Sequence, residues 1–164
     1  MKTIGLLSDT HGYLHPSITE MLAQCNEIWH AGDIGDLDTA KTLASIKPLK
    51  AVYGNIDGTD IRSFYPLYQD FTCENLKVLI LHIGGYPGRY SAEAKELIKK
   101  LKPGLFISGH SHILKVINDK RNQLLHINPG AAGRSGFHKV ITAMKFVVDD
   151  TNIRDLEILE IERK

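Results

Sequence analysis

The sequence has little of what would mark a stapled, nucleic-acid-coating or membrane-spanning chain. Its 164 residues hold two cysteines, Cys25 and Cys73. They show no CxxC or other ligand spacing, so a disulfide framework and a cysteine zinc clip are both excluded, and the pair reads as small buried hydrophobes in a reducing compartment. Net charge is almost absent: 20 Lys plus Arg against 19 Asp plus Glu leave +1 with histidine neutral. That balance provides no chain-wide basic field, which argues against nucleic acid as a stable partner and against an anionic membrane surface. No apolar run is long enough to span a bilayer, and the opening Met-Lys-Thr-Ile-Gly-Leu-Leu-Ser-Asp reaches polar chemistry by Ser8, too soon for a signal peptide. The expected location is the cytoplasm. Internal repeats, low-complexity tracts and linkers are also missing. With 43% apolar and 24% charged residues, the chain reads as one globular domain over residues 1–164, with enough apolar surface to offset the entropy of ordering it.

What is present begins as an α/β alternation. Thr3 to Ser8 is a short apolar run ending at Asp-Thr-His-Gly, a buried strand followed by a loop. Ile18, Met21, Leu22 and Cys25 then recur at i, i+3, i+4 and i+7 behind Pro16, the pattern of an amphipathic helix opened by proline. Glu27 to His30 reads as a strand, Leu37 to Ile46 as a helix, and Leu49 to Tyr53 as a strand closed by Gly54-Asn55. A proline-containing extended connection leads to a hairpin, Tyr68 to Cys73 and Leu76 to Ile83 around Glu74-Asn75. Ala94, Leu97, Ile98 and Leu101 mark a helix capped by Ser91 and stopped at Pro103-Gly104. The remaining segments, Leu105 to Ser108, Leu114 to Ile117, Leu124 to Asn128, Val140 to Val148 and Ile153 to Ile161, read as strands separated by polar turns. An α/β first half followed by an all-β second half predicts two sheets face to face with helices outside.

Five short segments carry most of the metal-capable side chains: Asp9-Thr10-His11, Gly32-Asp33, Gly54-Asn55-Ile56-Asp57, His82, and Gly109-His110-Ser111-His112. Each follows or ends a predicted strand, and in open α/β sheets the carboxyl ends of strands are where ligands bind, so the fold collects them on one rim. Residues separated by one in an extended segment project to the same side, which predicts that Asp9 with His11, and His110 with His112, each present a pair of ligands to one cavity. Two carboxylates, one amide oxygen and four imidazoles make a borderline-hard set without thiolate, suited to Mn, Fe, Co, Ni or Zn in a catalytic site. Seven ligands are too many for one open site. They suit two ions sharing one carboxylate roughly 3.5 to 4 Å apart, the arrangement that clamps attacking and leaving oxygens in phosphoryl transfer. Two divalent ions against Asp9 and Asp33 would also make a local anion trap in a nearly neutral protein.

In that order, Asp9-x-His11, Gly32-Asp33, Gly54-Asn55-x-Asp57, His82 and Gly109-His110-x-His112 resemble the motifs of the calcineurin-like metallophosphoesterases. The likeness is to their small single-domain bacterial and archaeal phosphodiesterases, with Ile127-Asn128-Pro129-Gly130 as a further turn of that branch. The resemblance implies an α/β fold, a four-layer α-β-β-α sandwich of two mixed sheets with a dinuclear site at one edge. It also implies a phosphodiesterase working through metal-bound hydroxide on a small phosphoester, with manganese foremost and iron, nickel, cobalt or zinc as alternatives. Carried over by residue, it puts Asp9, His11 and His112 on one metal, Asn55, His82 and His110 on the other, and Asp33 between them, with Asp33, Asn55 and His110 also acting in catalysis. Many members have histidine in the third position of the Gly-Asn motif, where it helps protonate the leaving group; this chain has Ile56. Many also have glycine directly after the histidine that His82 matches, where this chain has Ile83. The alternatives are a catalytically silent interaction scaffold of the same fold and a phosphomonoesterase, and a homo-oligomer stays open.

Around the motifs, Gly84 to Tyr90 reads as a flexible aromatic and basic loop that either closes over a phosphoester or lies in solvent, and Arg89 and Arg134 share those two alternatives. His15, His30, His126 and His138 match no ligand position, and Lys95, Glu96, Lys99, Lys100 and Lys102 form a solvated helix face.

Overall fold

In the computed structural model, which describes residues 1–163, the strand and helix periodicities build two sheets and an outer helix layer on each side. In chain order the elements are β1 (Lys2–Leu7), α1 (Pro16–Leu22), β2 (Glu27–His30), α2 (Leu37–Ile46), β3 (Leu49–Ala51), α3 (Thr59–Arg62), β4 (Tyr68–Cys73) and β5 (Leu76–Leu81). They continue with β6 (Gly85–Tyr86), β7 (Arg89–Tyr90), α4 (Ala92–Leu101), β8 (Leu105–Ile107), β9 (Leu114–Asp119), β10 (Leu124–Pro129), β11 (Val140–Asp149) and β12 (Asn152–Glu162). The first sheet runs β12-β11-β1-β2-β3 and the second β4-β5-β8-β10-β9. Both are mixed: β1 pairs parallel with β2 and antiparallel with β11, while β8 pairs parallel with β5 and β10, and β4 and β9 are antiparallel edges.

Period-two alternation decides which side chains meet. Ile4 and Leu6 of β1, Trp29, Val78 and Ile80 of β5, Leu105 and Ile107, Met144 and Phe146 all point between the sheets and form the largest apolar cluster. Their neighbours in sequence face outward. Leu7, Ile28 and Ala143 receive Ile18, Leu22 and Leu43 from α1 and α2, and Leu79, Leu81 and Phe106 receive Ala94 and Ile98 from α4. The result is the four-layer α-β-β-α sandwich that the motif order implied. Both cysteines are free and buried, as their spacing predicted, and among the described residues no helix is long and apolar enough to cross a membrane.

Helix ends follow local chemistry. His15 caps α1 through Nδ1, accepting from Ser17 N at 3.1 Å; Asp36 caps α2 through Thr39 N at 2.8 Å; Ser91 caps α4 through Ala94 N at 3.1 Å.

Three expectations change. The extended connection before β4 contains α3, a single turn too short for periodicity to register, held by Arg62 Nε donating to Asp57 O at 2.7 Å. The Gly84 to Tyr90 loop is a β6–β7 hairpin closed by Ser91 N to Gly84 O at 2.9 Å, its bends supplied by positive φ at Gly85 and Gly88. Finally, β3 ends at Ala51 instead of Tyr53, and β5 ends at Leu81 instead of Ile83, so His82 sits in the loop beyond its strand and not within it.

Candidate metal centre

All seven side chains converge past the carboxyl ends of β1, β2, β3, β5 and β8. They do so in two groups. Asp9, His11 and His112 each offer a ligand atom within 4.8 Å of the others, and so do Asp33, His82 and His110. His110 and His112 therefore fall in different groups, and the extended alternation expected for Asp9/His11 and His110/His112 is not what aims them. All four residues have positive φ, at 54°, 47°, 73° and 64° respectively, so left-handed turns, not strand pleating, direct the side chains.

Asp33 sits between the groups. Its Oδ2 is 3.5 Å from His11 Nε2 and 3.2 Å from His82 Nε2, and its Oδ1 accepts from Ile56 N at 3.1 Å. Asn55 Oδ1 lies 3.1 Å from His82 Nε2 and 3.0 Å from His110 Nδ1. Glycine is required where these loops touch. A Cβ on Gly54 would meet Asp33 N at 2.4 Å, and one on Gly32, already at φ 103°, would meet the His82 ring at 2.6 Å.

The donor set fits a cation by its own hydrogen-bond accounting. Asp9 Oδ2 is used by Ser8 Oγ at 2.6 Å and His110 N at 3.1 Å, whereas its Oδ1 is buried with no hydrogen-bond partner among the described residues and faces His112 Nε2 at 3.2 Å. His11 Nε2 is likewise buried and unpartnered among them. His82 Nδ1 contacts the Ala31 carbonyl at 2.7 Å; a carbonyl only accepts, so this nitrogen carries the proton and Nε2 of the neutral ring is a lone pair facing the oxygens of Asp33 and Asn55. His138 Nε2 donates to Gly133 O at 2.8 Å and its Nδ1 accepts from His112 Nδ1 at 3.3 Å, which turns the His112 Nε2 lone pair toward Asp9. Lone pairs facing oxygens across buried space need a positive charge between them.

The clustered carboxylates and imidazoles also shift one another's titration. Burial alone would raise the Asp9 carboxyl, but His11, His112, the His82 charge and Ser8 outweigh it and hold the group well below the usual carboxylate range. Contact with Asp9 pushes the His11 imidazole up against an opposing burial effect. Burial would lower His82, yet Asp33 and Asp9 outweigh it and raise the ring.

In the sequence Asp57 and Asn128 stand only as members of motif turns and His30 matches no ligand position; the structure gives each a supporting contact. Asp57 accepts three backbone N–H groups, from Gly54 at 2.8 Å, Gly35 at 2.9 Å and Ile34 at 3.1 Å, tying the Asp33 and Asn55 loops together. His30 Nδ1 accepts from Gly32 N at 3.0 Å; its Nε2–H donates to Thr10 Oγ1 at 3.0 Å, whose own proton goes to Ile34 O at 2.8 Å. That pattern leaves one proton on the ring, in keeping with burial pushing its pKa down to about 4. Asn128 Nδ2 donates to Gly109 O and Ser111 Oγ, both at 3.1 Å, and the Tyr86 and Ser111 hydroxyls are hydrogen-bonded, so the His110-x-His112 turn is held from two sides. The Arg134 guanidinium stacks on the Tyr13 ring at 4.0 Å, and Arg89 is exposed.

A mixed-sheet sandwich that carries at one edge two groups of carboxylate and imidazole donors able to hold a metal ion defines a candidate metal centre. The chain belongs to the calcineurin-like phosphoesterase superfamily, whose domain model matches residues 1–151. It is 29% identical over 134 residues, 78% of this chain and 67% of the relative, to a probable metallophosphoesterase of Methanocaldococcus jannaschii. Among solved structures it is similar to Vps29 of Chaetomium thermophilum, with TM-score 0.77, 18% identity and the full length of both chains covered. It is also similar to a protein described as a novel archaeal phosphodiesterase, with TM-score 0.73, 23% identity, and 96% and 99% of the two chains covered.

Proposed function

We propose that this chain is a cytoplasmic phosphodiesterase with a dinuclear centre. Asp9, His11 and His112 hold one ion, Asn55, His82 and His110 hold the other, and Asp33 lies between them, with manganese as the native metal. The observation that carries this reading is the Asp33 carboxylate, whose Oδ2 is within 3.5 Å of an imidazole from each group. When bound, two such ions supply Lewis acidity and a nucleophile at neutral pH. The chain's own residues set the geometry. Asp33 keeps one oxygen for the ions because the other is occupied by Ile56 N, and the proton placement on His82 and His112 keeps both Nε2 lone pairs inward. Asn55 and His110 line the open side, where they orient a phosphoryl group, and Asp57, Ser111 and Asn128 hold their loops against collapse. A surface used only for docking has no need of buried, unpartnered carboxylate and imidazole atoms, which favours catalysis over a silent scaffold. The test is metal analysis of the purified protein with hydrolysis of bis(p-nitrophenyl) phosphate and p-nitrophenyl phosphate before and after chelation. Two ions per chain, faster diester than monoester hydrolysis, and loss of rate on chelation with recovery in Mn²⁺ are expected. A diester rate that survived verified metal removal would refute the assignment.

A further inference from the structure

The motif loops carry exposed apolar side chains directly beside the residues of the centre. Ile56 follows Asn55 and is 47% exposed, Ile83 follows His82 at 44%, Ile113 follows His112 at 54%, and Phe137, fully exposed, precedes His138. Neighbouring Cα atoms are about 3.8 Å apart, so Ile56, Ile83 and Ile113 adjoin candidate ligand residues themselves, and Phe137 adjoins His138, which contacts the His112 ring. Two are pinned there by groups of the site itself: Ile56 N donates to Asp33 Oδ1 at 3.1 Å and Ile113 N to Ser111 Oγ at 3.2 Å. Phe137 follows Gly136, where a Cβ would come within 2.4 Å of His112 Nδ1, so its loop lies against the His112 ring. A single exposed isoleucine needs no explanation, but four apolar side chains bordering one buried polar centre do.

Few cations at the same border are free to meet a phosphate. Segments 9–12, 32–35, 54–57, 82–85, 109–113 and 135–138 contain no Lys or Arg, with Lys139 next along; Arg62 is held on the Asp57 carbonyl and Arg163 on the Gly136 carbonyl, and Arg134 lies over Tyr13. A polynucleotide threading this edge would bring flanking phosphates that need neutralising. A lone diester brings one phosphate, which belongs in the centre, and two ester arms, which must lie on whatever surrounds it.

We infer, on the basis of the phosphodiesterase reading, that the substrate is a lone phosphodiester with apolar or aromatic ester arms, and that Ile56, Ile83, Ile113 and Phe137 form the surface those arms cover. Covering them removes apolar area from water on both partners, which a hydroxyl-rich arm cannot match.

The experiment has a turnover arm and a binding arm. Methyl, phenyl and thymidine-5′ esters of p-nitrophenyl phosphate release the same phenolate and differ only in the second arm. On metal-loaded enzyme the phenyl ester is expected to exceed the other two in kcat/KM by about tenfold or more. That preference should fall below about threefold in Ile113→Ser/Phe137→Ser. Calorimetric titration of the same proteins with diphenyl and dimethyl phosphate reads the border without turnover, and the diphenyl ester should bind about tenfold tighter to the wild type only. Hydrolysis without any arm preference, or a preference for the thymidine arm, overturns the inference and leaves the phosphodiesterase reading standing. Diphenyl preference in binding with no hydrolysis of any ester supports the border and refutes the reading. A diphenyl preference unchanged in the double variant overturns the assignment to these side chains.

Discussion

His126 makes one separable contribution to how this fold responds to acid. Its side chain is fully buried on β10, with the rings of Phe106, Tyr86 and Tyr90 at centroid distances of 5.4, 5.7 and 6.1 Å. Neither ring nitrogen has a hydrogen-bond partner among the described residues. Burial pushes its pKa from the ordinary 6.5 down to about 4, because a charged imidazolium there would lose its hydration with little in return. The unfolded chain takes up the proton near pH 6.5 and the folded chain only near 4, so between those values the unfolded state binds more protons and stability falls as pH falls. The neutral ring's contribution is complete above about pH 6.5 and disappears toward pH 4. At about 1.36 kcal/mol per pH unit, this gap amounts to about 3 kcal/mol. Most of it, about 2 kcal/mol, is lost by pH 4.5. His126→Phe keeps an aromatic ring in the same cage and has no proton to gain. Urea unfolding of metal-free wild type and variant at pH 7 and pH 4.5 gives the answer as a difference of differences, with the other titrating groups cancelling. The variant should lose about 2 kcal/mol less than the wild type over that interval; equal losses would refute the reasoning.

Three further outcomes bear on the centre. Asp33→Asn should lower turnover by at least about 10² to 10³ and bring metal content below two ions per chain; metal analysis beside a rate measurement checks it, and two ions with near wild-type turnover would remove the bridging role. His138→Phe deletes the acceptor that holds the His112 tautomer, and metal affinity, read by competition with a chromogenic chelator, should fall about 10- to 100-fold. Ile56 has no proton to give to a leaving alkoxide, so alkyl diesters should lag aryl diesters by about 10² to 10⁴ beyond their intrinsic difference. Ile56→His should flatten the dependence of rate on leaving-group pKa, and a wild-type dependence already that shallow would show the proton coming from elsewhere.

Strand and helix order could be read from the sequence because burial imposes a period. Ile18, Met21 and Leu22 on α1, and Ile4 and Leu6 against Leu7 on β1, sort to opposite faces by rules that need no partner. The seven polar side chains could be grouped by the same logic, since each closes a strand. What stayed hidden involves residues paired across long separations or placed by backbone dihedrals. Asp57 and Gly35 are 22 positions apart and His112 and His138 are 26 apart, and nothing in either local segment announces its partner. His138 therefore read as an idle histidine, although it sets the proton position of a candidate ligand. The hairpin at Gly85 and Tyr86 escaped notice because two-residue strands leave no alternation to detect.

The left-handed residues show why the ligand motifs look like plain turn sequences. Asp9, His11, Asp33, His110 and His112 all have positive φ, a conformation that costs an L-residue roughly 1–2 kcal/mol relative to the right-handed one. Glycine would remove that cost and also remove the ligand, so the strain comes with placing a functional side chain at a sharp bend. The bends persist because the loops brace one another. Asp9 N donates to Gly32 O at 2.9 Å, His11 N to Asp33 O at 3.1 Å and Gly133 N to Asp9 O at 3.0 Å, while Asp9 itself accepts from His110 N at 3.1 Å. The left-handed bends at Asp9, Asp33 and His110 therefore belong to loops that are hydrogen-bonded to one another. A local sequence window sees Asp-Thr-His-Gly or Gly-His-Ser-His as ordinary turn chemistry, since the partners that hold each bend lie in other windows. The same bracing keeps Asp9 Oδ1 and His82 Nε2 facing inward without an ion, so ion binding would not have to meet the entropy of assembling the loops.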